Sequence, residues 1–99
     1  RDCDAVCARA GQRCDGALFP AVNTCAALES AFGALAAAEG TAAGCPAGCG
    51  ESYGPDQPVR VADGAPAGSF PSRCLVTSGP EQSTCAARHP STRRLCPCV

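Results

Sequence analysis

The last quarter of the chain, Ser72 to Val99, reads SRCLVTSGPEQSTCAARHPSTRRLCPCV. It carries four of the ten cysteines, the single histidine and the densest group of arginines. Cys74-Leu75-Val76-Thr77 predicts a short strand, and Ser78-Gly79-Pro80 a turn after it. Cys96-Pro97-Cys98 predicts a rigid terminal clasp, because proline fixes its own backbone and holds the two sulfurs close. Sulfurs at i and i+2 are poorly placed to bond each other. Each is therefore expected to reach a different part of the fold, tying the end of the chain to its beginning and its middle.

Outward from that stretch, composition says what must hold the chain together. Of the 99 residues twenty are alanine and ten cysteine, whereas only fourteen are Val, Leu or Phe, and Ile, Met and Trp are missing. Burial returns ~25 cal/mol per Å² while ordering costs ~1.5 kcal/mol per residue, so a core this thin leaves stability to covalent staples. Ten cysteines at this length are the density of a secreted disulfide scaffold. The even count predicts that Cys3, Cys7, Cys14, Cys25, Cys45, Cys49, Cys74, Cys85, Cys96 and Cys98 form five bridges. Zinc would instead call for CxxC knuckles or paired histidines; the short spacings here are Cys3-x3-Cys7, Cys45-x3-Cys49 and Cys96-x-Cys98. No metal and no cofactor are expected. Nine acidic residues nearly cancel eight basic ones, all of them arginine, which gives no field for nucleic acid or an anionic membrane. No apolar run approaches the ~20 residues of a membrane span. With no methionine, Arg1 is no translation start, so the chain reads as a processed or excised piece, a single module over 1–99.

Several elements are legible in order. Asp2 or Asp4 can cap a short helix that places Cys3 and Cys7 one turn apart on one face, and Gly11 suits its left-handed end. Leu18-Phe19-Pro20 predicts an anchor before the next helix. Asn23 to Gly40 predicts the main helix, capped by Asn23 or Thr24, with Cys25, Leu28, Phe32 and Leu35 as a narrow core-facing stripe. Gly33 is expected to weaken, bend or end it. Asn23-Thr24-Cys25 is formally a glycan acceptor, but Cys25 is more useful in a bridge. From Gly44 to Pro71, eleven of 28 residues are Gly or Pro, which excludes a long helix or central strand. There Cys45-Pro-Ala-Gly-Cys49 predicts a tight loop and Val59-Arg60-Val61 the one strand-like triplet. Order is expected near those cysteines, and mobility around 54–58 and 64–68.

Catalytic chemistry finds no motif. A nucleophilic site needs a histidine beside Ser or Cys and an acid, and His89 sits instead among Arg88, Arg93 and Arg94. Those four residues are the candidate contact for an anion or a glycan. Tyr53 offers the only Tyr as a sugar platform.

Cys3-Asp4-Ala5-Val6-Cys7, Gly11, Cys14, Phe19-Pro20 and Asn23 resemble the start of the cysteine-rich C-terminal region of N-acetylglucosaminyltransferase V, the Golgi enzyme that makes β1,6 branches on N-glycans. The resemblance returns at Arg73-Cys74-Leu75-Val76, Cys85-Ala86, His89-Pro90 and Arg93-Arg94-Leu95-Cys96-Pro97-Cys98. It covers both ends, about half the residues, and the middle from Ala26 to Phe70 departs from it. What it implies is a shared disulfide module, without the large glycosyltransferase domain that carries donor and acceptor sites in that family.

The expected fold is therefore a small disulfide-rich α+β unit: one or two short helices, a small antiparallel sheet and a long Gly/Pro-rich loop over 44–71. The expected function is a non-catalytic, extracellular structural or adhesion module of a cell wall, matrix or surface fibre. Its partners would be proteins, including neighbouring copies, and glycans, and it could itself be glycosylated. An accessory module of a Golgi-lumenal enzyme and a secreted inhibitor or effector are the alternatives.

Overall fold

The computed structural model describes residues 2–40 and 44–99. Helix α1 (Cys3–Arg9) begins as its sequence predicts, with the Asp2 carboxylate accepting from the Ala5 N–H at 2.8 Å. The N–H groups of Cys3 and Asp4, which have no partner within the helix, are not left bare. Both donate to the Cys85 carbonyl, at 2.9 and 3.3 Å. Gly11, at φ +71°, turns the chain out of the helix. One further turn, α2 (Phe19–Val22), buries Phe19 completely and leaves Leu18 outside.

Helix α3 (Cys25–Glu39) is capped by Thr24, whose Oγ accepts from the Ala27 N–H at 3.0 Å, and closes at Gly40 in the left-handed region. It runs through Gly33 without a break. The chain then returns across its middle: a Cβ on Gly44 would lie 2.7 Å from the Gly33 nitrogen and 2.8 Å from the Glu29 carbonyl oxygen. Only glycine allows that approach.

Strands β1 (Cys49–Ser52), β2 (Val59–Val61), β3 (Cys74–Thr77) and β4 (Thr92–Arg94) form one sheet in the order β1-β3-β2-β4. β2 is antiparallel to both neighbours, whereas β1 runs parallel to β3, so the sheet is mixed rather than antiparallel. A three-residue strand does occupy a central position within the Gly/Pro-rich stretch. Pro58 precedes β2 and so takes no donor out of the ladder, and its carbonyl accepts from Leu95. The register pairs Cys49 with Cys74, Arg60 with both Cys74 and Arg93, and Val59 with Arg94. Side chains alternate across a strand, so Cys49, Cys74 and Val76 face α3, where they meet Leu28, Phe32 and Leu35. Val59, Val61, Leu75 and Arg94 point to the opposite face.

Five disulfides complete the α+β fold: Cys3–Cys96, Cys7–Cys98, Cys14–Cys85, Cys25–Cys49 and Cys45–Cys74. The last two staple α3 and the turn at Cys45 to the sheet. The expectation that Cys96 and Cys98 reach different regions is corrected, for both bond α1. Helical positions one turn apart match the span of the Cys-Pro-Cys clasp. Backbone bonds between Arg13 and Val99, in both directions, extend the closure.

Candidate functional site

The arginine–histidine cluster that is contiguous in sequence is divided by the sheet. Arg94 is 7% exposed and belongs to the interior. Its Nε donates to the Asp56 carbonyl at 2.7 Å and Nη2 to that of Pro55 at 3.2 Å. Nη1 donates to the carbonyls of Thr84, Cys85 and Ala87. The guanidinium also lies 5.1 Å from the centre of the Phe19 ring. Burial pulls Arg94 below the ordinary arginine range, opposed by the carboxylates of Asp56, Asp2 and Asp4. A planar fork with five donors can bind carbonyls from two loops at once, which an ammonium cannot. Arg94 is thus a corrected assignment: it is the internal tie of segments 54–58 and 84–87, and it does not reach an external anion.

The same contacts tie 54–58, where mobility is expected, to the 84–87 loop through Arg94, and Gln57 and Pro58 are buried. Of the other cluster members, Arg88 and His89 are exposed, and Arg93 lies on the α3 side of β4. His89 Nδ1 accepts from the Ser91 N–H at 3.3 Å. His89 and Arg93 line grooves on opposite faces of the sheet.

Among the described residues, grooves lie on both faces of the sheet. The larger, about 540 Å³, lies between α1, α3 and β4, with Phe32, Leu35 and Leu95 in its floor and Arg9 and Arg93 at its margin. The smaller, about 230 Å³, lies over the far face. Val59, Val61 and Leu75 make its base, with Ser52, Asp56, Gln57, Phe70 and His89 around it. Phe70 keeps more than half of its surface exposed, and Gln57 is buried with its Oε1 lacking any hydrogen-bond partner. Neither residue stands out in the sequence. The one available signal is a large aromatic residue stranded in a run of Gly, Pro, Ala and Ser.

Asn23 bonds the β3 backbone like an added strand residue: Nδ2 donates to the Thr77 carbonyl and Oδ1 accepts from the Thr77 N–H, both at 2.8 Å. With Cys25 bridged to Cys49, this fold occupies both ends of the Asn-x-Cys triplet. Asp63 accepts from Ser72 and from Arg60, and these bonds, Ser72's first, hold its carboxyl below the usual range. The nearest approach to a metal-ligating group among the described residues, Asp4 with Cys14 and Cys85, has its two sulfurs bonded to each other. A disulfide sulfur is not the thiolate that a metal requires. Among the described residues no single helix is long and apolar enough to cross a membrane. No family model matches the sequence, and no curated protein matches it.

Proposed function

We propose that the chain is a non-catalytic extracellular module with a structural or adhesive role, a unit of a cell wall, matrix or surface fibre. Five disulfides favour an oxidising compartment, secreted or at the cell surface. The observation that carries the reading is the path force would take. Cys3 and Cys96 lie 5.4 Å apart between Cα atoms, and Cys7 and Cys98 5.3 Å. Tension applied at the two ends of the chain passes through those two bonds. The sheet and α3 lie inside the closed loop and feel none of it. A module built so suits an assembly under load, with the outer strand β1, exposed at Glu51 and Ser52, as an edge for neighbouring copies.

The test has two arms. Single-molecule pulling on the oxidised chain from its ends should release no internal length. After reduction, the 93-residue separation spanned by Cys3–Cys96 should yield roughly 300–330 Å of contour. Fractionation of the source cells should place the protein in the wall, matrix or surface fraction. Recovery in the cytosol, or equal lengthening with and without reductant, refutes the proposal.

A second reading, the accessory module of an N-acetylglucosaminyltransferase V-like enzyme, is favoured by one observation. The two resembling ends are the parts that Cys3–Cys96, Cys7–Cys98 and Cys14–Cys85 join. Recovery in the Golgi lumen would select it.

A further inference from the structure

We propose that the groove over the far face of the sheet is a binding site for a neutral saccharide, with Phe70 as its platform. The ring is held in place by an unusual backbone. Phe70 and Ser72 both have left-handed φ values, +57° and +65°, in residues that seldom adopt them. Surroundings that hold a bulky residue in such a conformation commonly serve a site. Here they include Ser72 Oγ donating to Asp63 at 2.6 Å, and the Arg73 N–H donating to the Phe70 carbonyl. The Arg73 guanidinium stands 5.5 Å from the ring centre and packs over Gly50, where any Cβ would collide with it. Its Nε is buried without a hydrogen-bond partner. Phe70 nonetheless remains 55% exposed.

A sugar ring offers an apolar C–H face and a rim of hydroxyls. An aromatic π-face, negative at its centre, matches the first. The groove supplies partners for the second: the hydroxyls of Ser52 and Ser69, the Asp56 carboxylate, His89 and Gln57. With His89 Nδ1 accepting from Ser91, Nε2 is the ring nitrogen left to donate. Gln57 lines the groove with only 5% of its surface exposed, and its buried Oε1 lacks a hydrogen-bond partner, so a turn of the side-chain amide toward a ligand hydroxyl would satisfy it. Charge selects among sugars. Asp56 is the charged group that lines this groove, while the Arg73 guanidinium is packed against the Phe70 ring, so sulfated or carboxylated chains meet a carboxylate where their hydroxyl rim would sit. The ligand class is thereby separated from the polyanion that the arginine cluster suggested. A volume of about 230 Å³ suits one ring of a longer neutral chain rather than a large ligand.

The inference deepens the adhesion reading and rests on it for where such a sugar is met. Pulling and sugar binding read different properties, so either can fail alone. The experiment is an amide NMR titration of the oxidised chain with cellotetraose, chitotetraose and a heparin tetrasaccharide. The expected result is movement of the Gln57 side-chain amide and the Ser52 and Phe70 backbone signals with a neutral probe, and none there with heparin. Saturation of the Phe70 ring protons should transfer to sugar C–H protons. Phe70→Ala should weaken binding about three- to tenfold, the size of one aromatic contact, and Phe70→Tyr should retain it. The proposal is overturned if no neutral probe moves these signals at millimolar concentration, if heparin binds the groove more tightly, or if no transfer from Phe70 is seen. The transfer measurement uses the unaltered protein and does not depend on either variant folding.

Discussion

Removing the two terminal disulfides, singly and together, should reveal that they act as one clamp. In the chain-entropy account a bridge stabilises according to the loop it closes. With Cys3–Cys96 in place, Cys7–Cys98 closes a short circuit: Cys7 follows Cys3 by four positions and Cys98 follows Cys96 by two. Loss of one bridge alone, as Cys7→Ala with Cys98→Ala, should therefore cost only about 2 kcal/mol. The same holds for the Cys3 and Cys96 pair. Once Cys3–Cys96 is gone, Cys7–Cys98 closes a longer circuit through Cys14–Cys85, seven positions along one side and thirteen along the other, and the converse case is of similar length. Losing both should cost about 5–6 kcal/mol, a coupling of about 1 kcal/mol beyond the sum. That exceeds the ~0.3–0.5 kcal/mol within which independent sites add. The buried sites vacated at Cys3 and Cys7 contribute equally to single and combined variants, so the cycle cancels them. Urea titrations followed by circular dichroism would supply the four stabilities. Strict additivity, or a single loss near the combined value, would refute the reasoning.

Three further outcomes follow from particular contacts. Gly44→Ala should destabilise by about 1–3 kcal/mol, since the backbone of α3 cannot yield, whereas Gly33→Ala, with open space around its Cβ, should stabilise by about 1 kcal/mol; thermal melts of the two compare them. Arg94→Lys should cost about 3–5 kcal/mol in a urea titration, because one ammonium cannot serve carbonyls of both loops, and hydrogen exchange should quicken at 54–58 and 84–87. Asp63 should titrate below the ordinary carboxylate range by carboxyl NMR, with Ser72→Ala moving it upward most. Because its folded value is the lower one, the stability it lends is present above the unfolded pKa and is lost as pH falls through the folded pKa.

Comparison of particular elements shows where local rules are enough. Asp2, Thr24, Gly11 and Gly40 mark helix ends through bonds within a few residues, and they lie where such rules put them. Cys3 and Cys7 share a face because a helix turns every ~3.6 residues. Cys74–Thr77 carries its own β-branched, apolar signal. By contrast β1, Cys-Gly-Glu-Ser, has no strand propensity of its own and forms because β3 lies alongside and Cys25 holds its first residue. In sequence Arg94 looks like its neighbours Arg88 and Arg93. Its burial depends on carbonyls supplied from positions up to 39 residues away.

Sequence alone determined that this chain must be held by sulfur, and where α1 and α3 begin and the glycines that close them, because cysteine count, scarce apolar bulk and helix caps are local properties. Only the tertiary structure decided which sulfurs meet, which arginine turns inward, and that Phe70 and Gln57 share a groove. Those outcomes rest on contacts between residues far apart along the chain, and no short window of sequence contains both partners.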